Sequence, residues 1–330
     1  MGRRRGDRDG TTLGACIIAW MIVGFASAQL TNDFYSGSCP RAPSLVTAAV
    51  QTAALVDSTQ PPKLLRLLFH DCFLQGCDAS ILIDSTASNK AEKADPANAS
   101  VDGYSVIDSI KTILELVCPN IVSCADIVAL AARDAVTLMG GPLVVIPTGR
   151  RDGTISRQSD VQSNIPDTTF TLDQLLNFFG AKGLSLNDLI TLSGSHTIGA
   201  AHCSAFNDRF KFNFNGSGQI LDASINPTFA KQLLQACPGN PSPTTTVPND
   251  LTTPTTFDNK YYQNLQMGMG LFASDQLLFT DSRSKSGVNS FAQDQASFFS
   301  SWEQSFLKLS TVQVKTGSEG EIRKNCRAVN

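Results

Sequence analysis

Arg66-Leu-Leu-Phe-His-Asp-Cys-Phe-Leu-Gln-Gly-Cys-Asp-Ala-Ser80 sets a basic pair, a cysteine pair and an oxygen-rich loop within fifteen residues. The leucines at 64, 65, 67 and 68 favour a helix, on which Arg66 and His70 stand at i and i+4 with Phe69 beside them. One helix face therefore carries a guanidinium, an imidazole and an aromatic ring. Immediately after it, Asp71, Asp78 and Ser80 offer side-chain oxygens around the turn glycine Gly76, a loop of the kind that supplies ligands to a hard cation such as Ca²⁺. Singly, each feature has an ordinary explanation as a surface His-Asp pair, a cysteine staple or a plain turn. Their coincidence in one stretch points to a site.

On the N-terminal side, residues 1–28 read as a secretory signal peptide. Arg3, Arg4 and Arg5 supply a positive start, Leu13 to Phe25 an apolar core, and Ala26-Ser27-Ala28 a small-residue cleavage site. That core is shorter than the ~20 residues of a membrane span, and no later stretch qualifies, so an exported chain beginning at Gln29 and free of membrane is expected. Its removal takes four Arg and two Asp from a chain with 26 basic and 29 acidic side chains and moves the net charge from −3 to about −5. This acidic balance argues against polyanion partners, since a nucleic-acid binder would normally show a basic patch. Nine cysteines become eight once Cys16 departs, and an even count in an oxidising compartment reads as four disulfides. Sequence alone leaves on the order of 100 pairings open, and the lack of any CxxC pair argues against zinc.

Helical signals dominate the remainder. Helices are expected over 42–56, 63–73, 104–117, 123–138, 172–181, 185–192, 228–236, 258–267 and 288–309. Thr171 with Gln174 fits a capping box, Ser123 and Ser185 are good N-caps, and Gly140-Gly141-Pro142 and Gly183 are stops. The best strand candidate is 143–146, so any sheet should be small.

Outside the opening stretch the chain offers two more histidines, His196 and His202. His196 ends an apolar helical run in Leu192-Ser-Gly-Ser-His-Thr-Ile-Gly199, where a helix cap or dipole partner is the ordinary reading. The loop with Asp250, Thr253, Thr256 and Asp258 presents oxygens at irregular spacing, ordinary turn chemistry on its own. Asp126 and Arg150 suit a structural ion pair. A hydrolase built on His70 and Asp71 would need a nucleophile motif such as G-x-S-x-G, which the chain lacks.

Taken together, the Arg66–Ser80 string, the His196 segment, Gly270-Leu-Phe-Ala-Ser-Asp-Gln276 and Asn249-Asp-Leu-Thr-Thr-Pro-Thr-Thr-Phe-Asp-Asn-Lys-Tyr-Tyr262 resemble the plant secretory (class III) haem peroxidases. The resemblance runs from Gln29-Leu-Thr-Asn-Asp-Phe-Tyr35 to Gly320-Glu-Ile-Arg-Lys-Asn-Cys326. It implies a mainly α haem-peroxidase fold occupying 29–330, two helical halves with the haem between them and very little β. It also implies a secreted, monomeric oxidoreductase that reduces hydrogen peroxide while oxidising phenolic donors in two one-electron steps. By the family's pattern, His70 is the general acid/base, Arg66 the charge stabiliser and Asn98 the amide that orients His70. His196 is the axial iron ligand of haem b, and Asp275 the carboxylate behind it.

Two Ca²⁺ sites follow from the same resemblance: Asp71, Leu74, Gly76, Asp78 and Ser80, with Glu92 linking them to Asn98, and Thr197, Asp250, Thr253, Thr256 and Asp258. Pro166 and Phe69 are expected at the substrate entrance, and His202 in packing. The implied disulfides are Cys39–Cys118, Cys72–Cys77, Cys124–Cys326 and Cys203–Cys237. The chain departs from the pattern at Val144, commonly Trp, and at Asp102, commonly Arg. Of the sequons Asn98-Ala-Ser100 and Asn215-Gly-Ser217, only Asn215 is expected to carry glycan, because Asn98 has a buried role. The chain stops four residues after Cys326 with no apolar extension, which favours the cell-wall space over a vacuole. The rival expectation is a catalytically silent, calcium-binding, disulfide-stapled wall protein of the same fold.

Overall fold

The computed structural model describes residues 1–2, 29–212, 218–220, 222–238, 242 and 244–330. The expected leader and the Asn215 sequon lie outside them. Among the described residues eleven α-helices follow in order: α1 Ala42–Val56, α2 Gln60–Phe73, α3 Tyr104–Val117, α4 Cys124–Leu138, α5 Leu172–Ala181, α6 Leu186–Ser193, α7 Pro227–Ala236, α8 Lys260–Gln266, α9 Ala273–Thr280, α10 Ser282–Gln293 and α11 Gln295–Ser310. Strands β1 Ala200–His202 and β4 Thr246–Pro248 pair antiparallel, as do β2 Phe210–Phe212 and β3 Gly218–Ile220. The fold is mainly α, as the sequence indicates.

Helix α4 organises the first group of helices. Most of its residues are buried, and Ala125, Ala129, Ala131, Ala132 and Ala135 leave room for α1, α2 and α3 to pack closely on it. Its one buried acid at the N-terminal turn, Asp126, meets Arg150 at 2.8 Å with both side chains fully enclosed, and also accepts the Tyr35 hydroxyl at 2.6 Å. The expected ion pair is thus present and structural. The second group comprises α6, α8, α9, α10 and α11, and α11 also touches α2. A single apolar core runs through both groups, while a smaller one gathers Phe206, Phe229, Leu233 and Leu271 beneath β1 and β4.

All four expected disulfides form. Cys124–Cys326 spans 202 residues and ties the C-terminal tail to α4. Chain-entropy reasoning gives such a closure about 5 kcal/mol.

Four points of the expected secondary structure need correction. Residues 143–146 form no strand: Leu143 and Val145 face solvent while Val144 and Ile146 are buried, so the alternation is real. Among the described residues no neighbouring strand lies alongside, and Pro142 and Pro147 remove amide donors at both ends. The helix expected over 288–309 is two helices, separated at Asp294, whose extended backbone and side chain cap α11 through the Ala296 amide. Helix α9 was not expected at all. Helix α2 also begins three residues early, because Pro61 and Pro62 fit a first turn that needs no amide donors.

Candidate functional site

The two parts of the candidate site are built on α2 and on the end of α6. Along α2 the helical spacing brings Arg66 Nε to within 3.1 Å of His70 Nε2, which accepts. On the other edge of the ring, His70 Nδ1 donates to Asn98 Oδ1 at 2.7 Å, and Asn98 Nδ2 donates to the Glu92 carbonyl at 2.9 Å. An amide oxygen can only accept, so the proton of His70 belongs on Nδ1 and the lone pair on Nε2. Burial, and then the Arg66 charge, push the imidazole down to about 3 in spite of the Asn98 bond. His70 is therefore neutral at ordinary pH, a base with its lone pair toward a fixed positive charge.

Arg66 is open to solvent at its surface yet has protein packed around it, and that burial lowers its affinity for its proton without discharging it. Its other nitrogen is anchored by Ser100, through the carbonyl at 3.0 Å and the hydroxyl at 2.9 Å. Sequence reasoning missed Ser100, which gives no local signal beyond its place in a sequon. Phe69 lies edge-on to His70 at 5.7 Å and against Phe73 at 4.2 Å, and Pro166 is half-buried.

Beneath His70 lies the first expected cation loop. Asp71 Oδ2 accepts the Ala79 amide at 2.9 Å, and Gly76 takes the left-handed backbone conformation that lets the loop double back, with no room for a Cβ beside Gln313. Both carboxylate oxygens of Glu92 and the Ser80 hydroxyl are buried with no hydrogen-bond partner; Ser80 lies near enough to draw Glu92 down slightly, but not in bonding geometry. Burial, with Asp71 and Asp78 close by, pushes Glu92 up to about 9, and burial with Asp78 raises Asp71 as well. Crowded, unsatisfied oxygens of this kind fit a divalent cation.

Among the described residues no three His, Cys, Asp or Glu side chains converge as a metal centre, so such an ion would depend on hydroxyl and backbone carbonyl oxygens too. Two ammonium groups also reach the loop. Lys315 pairs with Asp78 at 2.5 Å and Lys182 donates to the Leu74 carbonyl at 3.0 Å. The expected link from Glu92 to Asn98 runs through the Glu92 backbone carbonyl, while its carboxylate remains with the loop.

His196 emerges where α6 gives way to a tight turn at Gly194–Thr197. Helix α6 starts with a full capping box between Ser185 and Asp188, and at its end a Cβ on Gly194 would strike the Tyr262 hydroxyl and the Phe298 ring. This close approach sets the turn. His196 Nδ1 donates to Asp275 Oδ1 at 2.8 Å, which leaves Nε2 as the free lone pair. About a third of the side chain stays exposed, between the rings of Phe272 and Tyr261. An imidazole tied at one nitrogen to a buried carboxylate and open at the other fits the chemistry of a metal ligand. Tyr261, which also donates to Asp275 Oδ1 at 2.9 Å, was not foreseen.

Next to His196, Thr197 Oγ1 and Thr253 Oγ1 reach Asp258 Oδ1 at 3.2 and 3.1 Å, and Thr197 lies 3.5 Å from the Thr256 carbonyl. Asp250 Oδ2 is buried without a partner, and burial raises this acid. The second oxygen set is thus gathered beside the histidine. Gly199 passes against Pro62, so the start of α2 and the segment after His196 adjoin. Of the two departures, Val144 is buried and Asp102 pairs with Lys63 at 3.0 Å. His202 lies half-buried in β1 with Nδ1 unpaired.

A family model described as Peroxidase matches residues 45–294, a span that holds Arg66, His70, Asn98, His196 and Asp275. Peroxidase 18 of Arabidopsis thaliana is 50% identical over 320 residues, covering 97% of this chain and 96% of the relative. Peroxidase 46 of the same plant is 52% identical over 305 residues, covering 92% and 93%. Peroxidase 54 is 46% identical over 317 residues, covering 95% and 88%.

Proposed function

Because this chain belongs to the peroxidase family and is a haem peroxidase acting on hydrogen peroxide and a reductant, we propose that Arg66, His70 and Asn98 carry its peroxide chemistry and that His196 Nε2 holds the iron. Haem, when bound, supplies the iron at which the peroxide O–O bond is cleaved and through which electrons are withdrawn from the reductant. His70 Nε2 accepts a proton from one peroxide oxygen and returns it to the departing one, acting first as base and then as acid. Arg66 faces the leaving oxygen with a fixed positive charge, already oriented by Ser100 before the charge develops. Asn98 keeps the His70 proton on Nδ1 and is itself held by the Glu92 carbonyl. On the other side, Asp275 makes the His196 imidazole more electron-donating.

The observation that carries this reading is the neutral His70 with its lone pair aimed at a permanent cation. Phenols suit the reductant role, reaching the cleft near Phe69 and Pro166. One Ca²⁺ would be held by Asp71, Asp78, Ser80 and the Leu74 and Gly76 carbonyls near Glu92, and another by Thr197, Asp250, Thr253, Thr256 and Asp258. The orphaned oxygens of Glu92, Ser80 and Asp250 support both. Residues 29–330 would form a single secreted, monomeric catalytic domain, and no helix among the described residues is long and apolar enough to cross a membrane. Purified protein loaded with haem should show a Soret band and oxidise a phenol such as guaiacol only with peroxide present. A Soret band without turnover would favour the silent wall protein instead.

A further inference from the structure

Asp275 is shared. Its Oδ1 accepts the His196 Nδ1 proton at 2.8 Å and the Tyr261 hydroxyl at 2.9 Å, while Oδ2 accepts the Phe272 amide at 3.0 Å. The Tyr261 side chain is buried, its ring edge-on to both His196 and Tyr262. Burial and the neighbouring carboxylate hold its phenol protonated, so that it serves as a donor. Tyr262, one residue on, turns its hydroxyl to the carbonyls of Ile190 and Thr191 and makes no such bond.

Two donors on one oxygen compete for the same negative charge. A hydrogen bond to the charged form of a carboxylate stabilises it and lowers its basicity, and inside a protein such a bond is strong. With Tyr261 in place, Asp275 pulls less on the His196 proton, and the imidazole donates less electron density through Nε2. We propose that Tyr261 is a positioning residue that sets the electron-donating strength of His196 through Asp275, holding the iron's reduction potential above the value Asp275 alone would give. The inference rests on His196 being the iron ligand.

The test is the ferric/ferrous midpoint potential of the haem-loaded protein. Tyr261→Phe should shift it downward, because an unshared carboxylate makes the imidazole more anionic and favours ferric iron. Tyr262→Phe should leave it in place. In an Asp275→Asn background, adding Tyr261→Phe should produce no further shift, which a merely structural role for the ring would not predict. Site-specific 3-fluorotyrosine at position 261, a stronger donor of the same shape, should move the potential upward, and it decides the matter if Tyr261→Phe fails to retain haem. An unmoved potential in Tyr261→Phe, a shift that persists without the Asp275 carboxylate, or a fluorotyrosine shift of the wrong sign overturns the proposal. A His196→Ala protein with an unaltered Soret band would instead remove the ligand assignment beneath it.

Discussion

The molecule uses the same side chain twice, and the tasks of the two imidazoles diverge through what each touches. His70 and His196 each fix the Nδ1 proton on an oxygen, at 2.7 and 2.8 Å. For His70 that oxygen belongs to the neutral amide of Asn98, and an arginine faces Nε2. For His196 it belongs to the carboxylate of Asp275, and Nε2 is free. An amide orients a ring without lending it charge, so His70 stays a neutral base that can take up a proton briefly and give it back. A carboxylate orients the ring and adds electron density, which suits a group that holds a metal. The partner, more than the histidine, decides the task.

Removing the base should have the largest effect. His70→Ala should slow peroxide cleavage, followed by rapid mixing of haem-loaded protein with peroxide, by at least ~10²–10⁴-fold while haem remains bound. A smaller loss would mean that the proton moves by another route.

Giving the first histidine the second one's partner sharpens the comparison. With the folded value near 3, wild-type His70 stays deprotonated and the cleavage rate should be level from neutral pH down to about pH 4. Asn98→Asp places a carboxylate on Nδ1, which favours the imidazolium, and the rate should begin to fall at higher pH. Unchanged profiles would show that Asn98 does not govern His70. The same depression acts on folding. A histidine held neutral in the fold but free to protonate when unfolded leaves stability complete above its ordinary value near 6.5 and lost as pH drops toward 3.

A subtler effect concerns the loop under His70. Glu92 is held up near 9, so the folded protein keeps a proton that the unfolded chain releases above its ordinary value, and stability falls as pH rises through that window. A bound Ca²⁺ would favour the carboxylate and remove most of this dependence. Chelation should therefore lower the melting temperature more at about pH 8.5 than at about pH 5. Equal losses at both would argue against a cation beside Glu92. Lys315 on Asp78 and Lys182 on Leu74 place positive charge at the same loop, so a cation bound there would be readily stripped by a chelator.

Much of this was legible in the chain because it is local. Arg66 and His70 share a helix face by spacing, and the capping box at Thr171 and the N-cap at Ser185 are each set within four residues. The disulfide pairing and the partnership of Asp275 with His196 came from the family likeness, since a contact across 79 positions leaves no periodicity to detect. What stayed hidden is long-range and polar. Ser100 meets Arg66 across 34 positions and Lys315 meets Asp78 across 237. Tyr261 lies in the 249–262 segment, yet nothing in its neighbours distinguishes it from Tyr262. The residues at 143–146 erred the other way, with sound alternation and no strand to pair with.

The division of labour between the two histidines is tested most directly by the resting absorption spectra of His70→Ala and His196→Ala, recorded side by side after haem loading. His70→Ala should keep a Soret band close to wild type, and His196→Ala should show a displaced or missing band, because only the second loses the atom proposed to hold the iron. A normal band in His196→Ala, or a band lost in His70→Ala alone, would contradict that division.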